Sequence, residues 1–306
     1  MDPISGINIK KDSSFAMLLA AQARGWEIYY METDDLFLVD NIPGARMRRL
    51  AVSDQPSGWF EFQNESIKNL DYLDAILMRK DPPVTMQYIY TTYLLELAQK
   101  QGVLVVNDPQ TLRDANEKLF ISWFPDCIVA THVSSNAEQI REFINKHEEV
   151  ILKPLDEMGG TSVFRIRKGD TNTNVIIETL TKRGEQYCIA QKYIPKIDRG
   201  DKRILLINGE PVPFALARIP KQGEHRANLA SGGNAKGIEL SDRDLWICEQ
   251  LAPVLREKKL LFVGIDIIGD FLTEINITSP TCIRELDSLF KLNIADQLMT
   301  AIEESL

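Results

Sequence analysis

Three oxygen-bearing side chains stand where a buried strand would want Val or Leu. The segment Val263-Gly264-Ile265-Asp266-Ile267-Ile268-Gly269-Asp270-Phe271-Leu272-Thr273-Glu274-Ile275-Asn276 is apolar except for a few positions, and Asp266, Glu274 and Asn276 are chief among them. Glu274 and Asn276 are two apart, so on a strand they share a face. Asp266 joins them if it lies opposite Glu274 in a hairpin centred on Asp270. The loop must then be odd, most simply 269–271; a two-residue Gly269-Asp270 turn would carry Asp266 to the other face. Such hard oxygen ligands suit Mg²⁺, which takes a few carboxylates and completes its shell with substrate phosphates. The plainer alternative is a solvated strand face with scattered polar residues, and the apolar flanks argue against it.

Other chemistry-bearing groups are weaker one by one. Lys153-Pro154 precedes Asp156-Glu157-Met158-Gly159-Gly160. A strand ending in Lys, then paired glycines, can hold polyphosphate through main-chain N–H groups and one ammonium, although a plain hairpin loop has the same look. Cys188-Ile189-Ala190-Gln191-Lys192-Tyr193-Ile194-Pro195 could offer a strand edge to an adenine, or could be an ordinary linker. Arg79-Lys80, Lys202-Arg203, Arg218 and Arg284 sit at strand ends, and Arg226 and Asn228 lie in a long polar stretch. As a set these cations suit an acidic substrate and developing phosphoryl charge.

Positioning such groups needs a scaffold of alternating elements. The pattern predicts helix 12–24, strands 26–31 and 74–78, a break at Pro82-Pro83, a helix to about 101, and strand 103–106. Strand–helix alternation implies a parallel sheet with covering helices. That arrangement opens with a strand, yet the first helix starts near residue 12, so residues 1–9 must do the strand's work or the sequence starts late. From about 116 the pattern predicts helix 116–124, strand 127–131, helix 135–147, strand 150–152, strand 161–167, helix 173–183 and strand 187–191. Strands 202–207 and 212–218 follow, then the aperiodic polar stretch 219–238, of the kind that serves as a lid. Helix 242–257, strands 261–268 and 272–277, and a terminal helix complete the chain.

The chain has 306 residues, 44% hydrophobic and 26% charged, which permits two or three domains with a sizeable core. A formal net charge of −9 argues against nucleic acid as the main partner. Four cysteines are too dispersed for a metal finger or a disulfide framework and are expected to be reduced thiols. The three histidines lack zinc-ligand spacing. No apolar run reaches membrane length and no signal pattern opens the sequence, so the expected location is cytoplasmic.

Taken in order, Lys118, Lys153 with its glycine loop, Gln191–Ile194, Arg203, Arg218 and Asp266…Glu274-x-Asn276 resemble the ATP-grasp superfamily. Longer segments are similar to the bacterial glutathione synthetase family: Asn8-Ile9-Lys10-Lys11-Asp12-Ser13-Ser14, Leu77-Met78-Arg79-Lys80-Asp81-Pro82-Pro83, Asn116-Glu117-Lys118-Leu119, Ile151-Leu152-Lys153-Pro154-Leu155-Asp156, Gly209-Glu210-Pro211-Val212-Pro213, and Leu272 through Arg284. The resemblance implies a combined α/β and α+β chain. Residues 1–115 would form an N-terminal parallel-sheet (pre-ATP-grasp) domain, 116–194 a small central lid domain, and 195–306 a C-terminal antiparallel-sheet catalytic domain.

It also implies a reaction: ATP phosphorylates the cysteinyl carboxylate of γ-glutamylcysteine, and glycine attacks the acyl phosphate. Asp266, Glu274 and Asn276 would hold Mg²⁺, with Mn²⁺ able to replace it. Lys118, Lys153, Gly159 and Gly160 would meet the phosphates, Gln191, Lys192, Tyr193 and Ile194 the adenine, and Asp201 the ribose. Arg203, Arg218, Arg226 and Asn228 would act in catalysis, the last two from a closing loop. Asn8, Ser13, Arg79 and Lys80 would bind γ-glutamylcysteine, and Thr278, Ser279 and Thr281 the acceptor end. A homotetramer is implied as well. Glu157 stands where the family usually has Gly, and His225 and Ala227 where it has Thr and Gly. Another ATP-grasp carboxylate–amine ligase, or a non-catalytic ATP-binding regulator, are the alternatives.

Overall fold

The computed structural model describes residues 1–220 and 234–306. The chain opens with a single 3₁₀ turn, Ile4–Gly6, so residues 1–9 do not supply the missing strand. Helix α1 (Ser13–Ala23) follows, N-capped by Asp12, whose Oδ1 accepts from the Phe15 N–H at 2.7 Å. Strands β1 (Tyr29–Tyr30), β2 (Leu36–Val39), β3 (Ile42–Val52) and β4 (Phe60–Asn69) form an antiparallel sheet in which β3 pairs with the other three. The expected strand 26–31 is thus reduced to two paired residues. After it, β5 (Ala75–Leu77), α2 (Met86–Lys100) and β6 (Leu104–Val106) make a βαβ unit whose strands pair in parallel. The expected parallel sheet exists, but as two strands, and the antiparallel meander beside it is an addition.

Helix α3 (Pro109–Asp114) sits upstream of the helix expected at 116–124. Asp108 caps it at Thr111 N–H, 2.9 Å, and Pro109 fills the first turn, where no donor is missed. Residues 120–123 are only a 3₁₀ turn, and Pro125 ends it. A second antiparallel sheet has the order β7–β10–β8–β9: β7 (Thr131–Ser134), β8 (Glu149–Pro154), β9 (Phe164–Arg167) and β10 (Cys188–Lys192). The strand expected at 127–131 therefore lies three to four residues later. Helices α4 (Ala137–His147) and α5 (Thr173–Leu180) cover one face of this sheet, burying Val150, Leu152, Ile166, Cys188 and Ala190 with Ile140, Ile144 and Ile177. Strand alternation turns Ile151, Lys153 and Gln191 to the opposite face.

The third sheet contains β11 (Asp201–Ile207), β12 (Glu210–Pro211), β13 (Phe214–Ile219), β14 (Asn234–Glu239), β15 (Phe262–Ile268) and β16 (Phe271–Asn276), all antiparallel, in the order β14–β13–β11–β15–β16 with β12 on β11. Two ends of the stretch read as aperiodic are therefore ladder: Ile219 pairs with Asn234 and Arg218 with Ala235. Helix α6 (Asp242–Glu257) covers one face, packing Ile247, Leu251 and Leu255 on Ile204, Leu206, Val263, Ile265 and Ile275. The other face is divided. At one end Leu205, Leu216 and Phe262 pack on α7 (Ile283–Phe290) and α8 (Ile294–Glu303), the two helices that replace the single one expected. At the other end it is charged and open to a cleft.

Candidate active site

The cleft lies between the open faces of the second and third sheets. Its walls include Lys118, Lys153, Gly159, Gly160, Gln191, Lys192, Tyr193, Ile194, Asp201, Asp266 and Glu274, eleven of the residues singled out from sequence. They converge because four strands of the third sheet place their polar residues in register. Arg203 on β11 lies opposite Asp266 on β15, and Asp266 opposite Glu274 on β16. One step along, Asp201 on β11 lies opposite Arg218 on β13. Directly opposed residues share a face, so all five project into the cleft side.

The hairpin reaches this register by another route than the odd loop expected. Ile268 pairs with Phe271 around a two-residue Gly269-Asp270 turn, and Ile267 with Leu272. Asp266 nevertheless pairs with Glu274, because Thr273 is an extra residue on β16, a β-bulge. Alone, the even turn would send Asp266 to the core; the bulge restores the parity. Gly269 has φ +60°, which a turn this tight requires, and a Cβ there would meet Lys196 Cδ at 2.6 Å. The bulge also aims chemistry: Thr273 Oγ1 donates to Asp266 O at 3.1 Å, while Thr273 O accepts from Lys153 Nζ at 3.3 Å.

Charges in the site hold one another. Arg203 forks onto Asp266, Nε to Oδ1 at 2.5 Å and a terminal N–H to Oδ2 at 2.9 Å. Arg218 reaches Asp266 Oδ1 at 2.9 Å and also pairs with Asp201. Lys153 pairs with Glu274 at 3.2 Å. Lys118 donates to the main-chain oxygen of Glu157, tying the glycine loop to the cleft. Asn276 donates from Nδ2 to Gly264 O at 3.2 Å and Asp266 Oδ2 at 3.3 Å, which leaves its Oδ1 as the ligand end.

Titration follows from this packing. Burial pushes Asp266 up, but Arg203 and Arg218 more than reverse it, and its carboxyl stays well below the usual range. Burial acts likewise on Glu274, and Lys153 and Lys118 hold it down. Asp201 ends the other way. Its burial and the nearby Asp266 charge outweigh Arg218 and Arg203, and its pKa rises to about 6.

Three buried polar atoms around the cleft have no partner among the described residues: Gln191 Nε2, Asp201 Oδ1 and Arg218 Nε. Orphans of this kind mark ground prepared for a polar ligand. The side chain of Glu157 lines the same cleft and its Oε2 is also without a partner.

A second group adjoins the first. Arg79 is buried and donates to Ser14 Oγ at 3.0 Å and to Pro280 O at 2.8 Å. Desolvation lowers its pKa to about 10. Ser13 Oγ accepts from Ile283 N–H at 3.2 Å, so α1, the end of β5 and the 278–282 loop meet here. Lys80 pairs instead with Asp2, and Asn8 Oδ1 accepts from Lys10 N–H at 3.2 Å. Ser279 is half-buried and Thr281 exposed. Arg226 and Asn228 lie outside the described residues.

One residue that sequence reasoning passed over is Glu117. Its buried carboxylate accepts from Ile277 N–H at 2.8 Å, Thr278 N–H at 3.0 Å and Thr278 Oγ1 at 2.9 Å, and its main-chain oxygen from Ile275 N–H at 2.9 Å. A single residue thus fixes the strand that carries Glu274 and Asn276. The signal was its place beside Lys118 in a segment already singled out.

No group of three His, Cys, Asp or Glu close enough to hold a metal exists among the described residues. Asp266 and Glu274 are two, and Asn276 adds an amide oxygen. Hard oxygens at a register-fixed spacing, next to cations, fit a divalent ion shared with phosphates.

Sheet order, the two-sheet cleft and its paired Lys residues define an ATP-grasp ligase. The chain superposes on a Chryseobacterium gregarium RiPP-associated ATP-grasp ligase (TM-score 0.64, 14% identity, 98% of this chain and 95% of that one). It also superposes on a D-cycloserine synthetase (TM-score 0.60, 15% identity, 77% and 85%). The family is narrower than the fold. Residues 1–113 match the N-terminal domain of prokaryotic glutathione synthetase and 117–291 its ATP-grasp domain. Glutathione synthetases of Pseudomonas syringae pv. tomato and Vibrio vulnificus are 60% and 56% identical over all 306 residues, each covered to 96% of its own length. The chain belongs to the prokaryotic glutathione synthetase family, and it is a ligase that uses ATP.

Proposed function

We propose that the protein joins γ-glutamylcysteine to glycine through an acyl phosphate, with ATP and Mg²⁺ in the cleft described above. The observation that carries this reading is the Arg203–Asp266–Glu274 row, with Lys153 and Arg218 on its flanks. Four cations, counting Lys118, face three carboxylates, so an incoming polyphosphate gains charge partners. Were phosphates to draw Arg203, Arg218 and Lys153 toward themselves, Asp266 and Glu274 would lose neutralisation and would be free to hold a divalent ion. When bound, Mg²⁺ would polarise phosphoryl oxygens from the ligands Asp266, Glu274 and Asn276 Oδ1.

Gly159 and Gly160, at φ +67° and +81°, keep side chains away from the phosphates. Lys192 and Tyr193 N–H already donate to Ala130 O at 2.9 Å and Glu149 O at 3.0 Å. Adenine would therefore meet the Ile194 amide and the carbonyls of 191–194. Asp201, with an orphaned oxygen, would take the ribose. Arg203 and Arg218, placed behind Asp266, would steady the transferring phosphoryl group. Arg226 and Asn228 would close over it and exclude the water that destroys an acyl phosphate. Arg79 and Ser13 would receive γ-glutamylcysteine with Asn8 and Lys80 at the rim, and Thr278, Ser279 and Thr281 the acceptor end.

In this reading the chain divides at 115 and 194 into substrate, central and catalytic parts. It acts in the cytoplasm as a homotetramer; no described helix is long and apolar enough to cross a membrane. The test is ADP release with γ-glutamylcysteine plus glycine, with and without Mg²⁺. Turnover that requires all three supports the proposal. Silence with this pair, and ADP release with another carboxylate and amine, sinks it.

A further inference from the structure

Glu117 holds more than a strand end needs. The chain leaves β16 after Asn276, so the N–H groups of Ile277 and Thr278 lose their ladder partners and must find others. Glu117 Oε1 takes both, at 2.8 and 3.0 Å. It also takes the hydroxyl proton of Thr278 at 2.9 Å, which no strand end requires. An ionised carboxylate can only accept, so the direction of that bond is fixed and Thr278 Oγ1 is left with its lone pairs. That oxygen can serve only a donor.

The place of Thr278 is set as tightly. Alternation buries Ile275 and Ile277 in the core and keeps Thr278 on the side of Glu274 and Asn276. Asn107 Nδ2 donates to Ile277 O at 2.7 Å and Arg79 to Pro280 O at 2.8 Å, so the loop is pinned on either side of Thr278. Thr278 therefore stands between the Asp266–Glu274–Asn276 row and the Arg79–Ser13 group, where an acyl group activated by one and held by the other would be attacked. Nearby, Tyr88 of α2 is 3% exposed, its hydroxyl has no partner among the described residues, and it feels the charges of both Glu117 and Arg79. A buried orphan beside two charges is ground for a polar ligand.

We propose that Glu117 is a positioning residue for the acceptor amine and acts through Thr278. With its own proton held by Glu117, Thr278 Oγ1 takes one N–H of the amine, and that bond turns the nitrogen lone pair toward the acyl carbon. The acceptor reacts as the neutral amine. Nitrogen bonds to the acyl carbon, the carbon–oxygen bond to phosphate breaks, and phosphate leaves with the bonding pair and one nitrogen proton. Glu117 gains no proton in this step; its charge locks the hydroxyl rotor. The arrangement also selects the acceptor class. A primary amine has one N–H for Thr278 and another to lose to phosphate, whereas a secondary amine or an alcohol has a single hydrogen that cannot do both. This rests on the reading of residues 278–281 as the acceptor end of an acyl-phosphate ligase.

The test splits the reaction on the full chain with γ-glutamylcysteine and Mg²⁺-ATP. Saturating hydroxylamine traps the acyl phosphate as a hydroxamate, and ADP release with glycine reports the acceptor step. Glu117→Gln is expected to raise KM for glycine about 10-fold, with KM for ATP and hydroxamate formation within about 2-fold of wild type. Thr278→Val should act likewise, Thr278→Ser should stay near wild type, and Glu117→Gln should add nothing to Thr278→Val. Equal losses of hydroxamate and amide would make Glu117 a support of the strand alone and overturn the proposal, as would two effects that add. Sarcosine needs no variant: it should be refused as an acceptor, and amide formation from it at the glycine rate also overturns the proposal. A wild type that forms no hydroxamate overturns the reading beneath it, and the proposal with it.

Discussion

The two walls of the cleft are built on opposite plans. On the β11–β16 wall, Arg203, Arg218, Asp201, Asp266 and Asn276 are locked in a buried network on paired strands. The facing wall offers Lys153 from a strand, but beyond Pro154 it continues as the loop 155–163, which sets Gly159, Gly160 and Ser162 at positive φ. One wall is held by paired strands and buried ion pairs, whereas the other presents its glycines from a loop that Lys118 ties down. Charge stabilisation is strongest where donors do not have to reorganise, so the β11–β16 wall should dominate turnover and the loop wall nucleotide affinity.

Asp266→Asn should break this contrast most severely. It leaves Arg203 and Arg218 without their shared anion and removes a metal ligand. We expect kcat to fall by on the order of 10³ or more and folding stability by about 3 kcal/mol, measured by ADP release and denaturant unfolding. A catalytically silent Asp266→Asn of unchanged stability would show that the network is not cooperative.

Lys153→Met should cost about 10²-fold in kcat/KM for ATP while moving Tm little, because Glu274 is partly exposed and still feels the Lys118 charge. A large loss of Tm instead would make Lys153 part of the locked wall.

The pH dependence of the locked wall has a defined sign. Asp201 titrates at about 6 when folded, against an ordinary 3.8. Between those values the folded state holds a proton that the unfolded state has released. Stability should therefore fall by about 2 kcal/mol as pH rises from 4 to 6, and Asp201→Asn should flatten that slope in thermal melts. A wild-type profile that rises over this range would contradict it, unless Asp266, which acts with the opposite sign below about pH 4, dominates; the Asp201→Asn difference isolates the first effect.

Glu157→Gly should have the smallest effect, on the loop wall alone. Removing a carboxylate that faces the phosphates should lower KM for ATP by about 3- to 10-fold with kcat nearly unchanged. An increase in KM would mean that the Glu157 side chain serves the nucleotide.

How much of this was legible in the sequence varies with the physics that produced it. Helix 242–257 was predicted with its boundaries, because Ser241 and Asp244 form a capping box that a sequence displays. The charged residues of the site were legible because each interrupts an apolar run. The β3–β4 meander was not, since β3 carries Pro43, Gly44 and three arginines, and β4 alternates Phe60-Glu61-Phe62 before turning polar. Its stability comes from cross-strand partners distant in sequence, such as Arg46 opposite Ile67 and Arg48 opposite Glu65, and from the ion pairs of both arginines with Asp35 in the turn before β2. The bulge at Thr273 escaped for a related reason. Pairing set the requirement that Asp266 face Glu274, but it did not say where the extra residue would go.

That bulge makes the active hairpin sensitive to which residue is lost rather than to length alone. Deleting Thr273 would keep Asp266 opposite Glu274, because Thr273 is the residue the ladder leaves unpaired, but would remove the hydroxyl on Asp266 O and the carbonyl that accepts from Lys153, whereas deleting Ile275 would turn Asn276 toward the core. Most hairpin tips are where natural variation in chain length accumulates. This one is sensitive to where the change falls, and a library of single-codon deletions scored for growth on glutathione-dependent media should tolerate loss of Thr273 better than loss of Ile275.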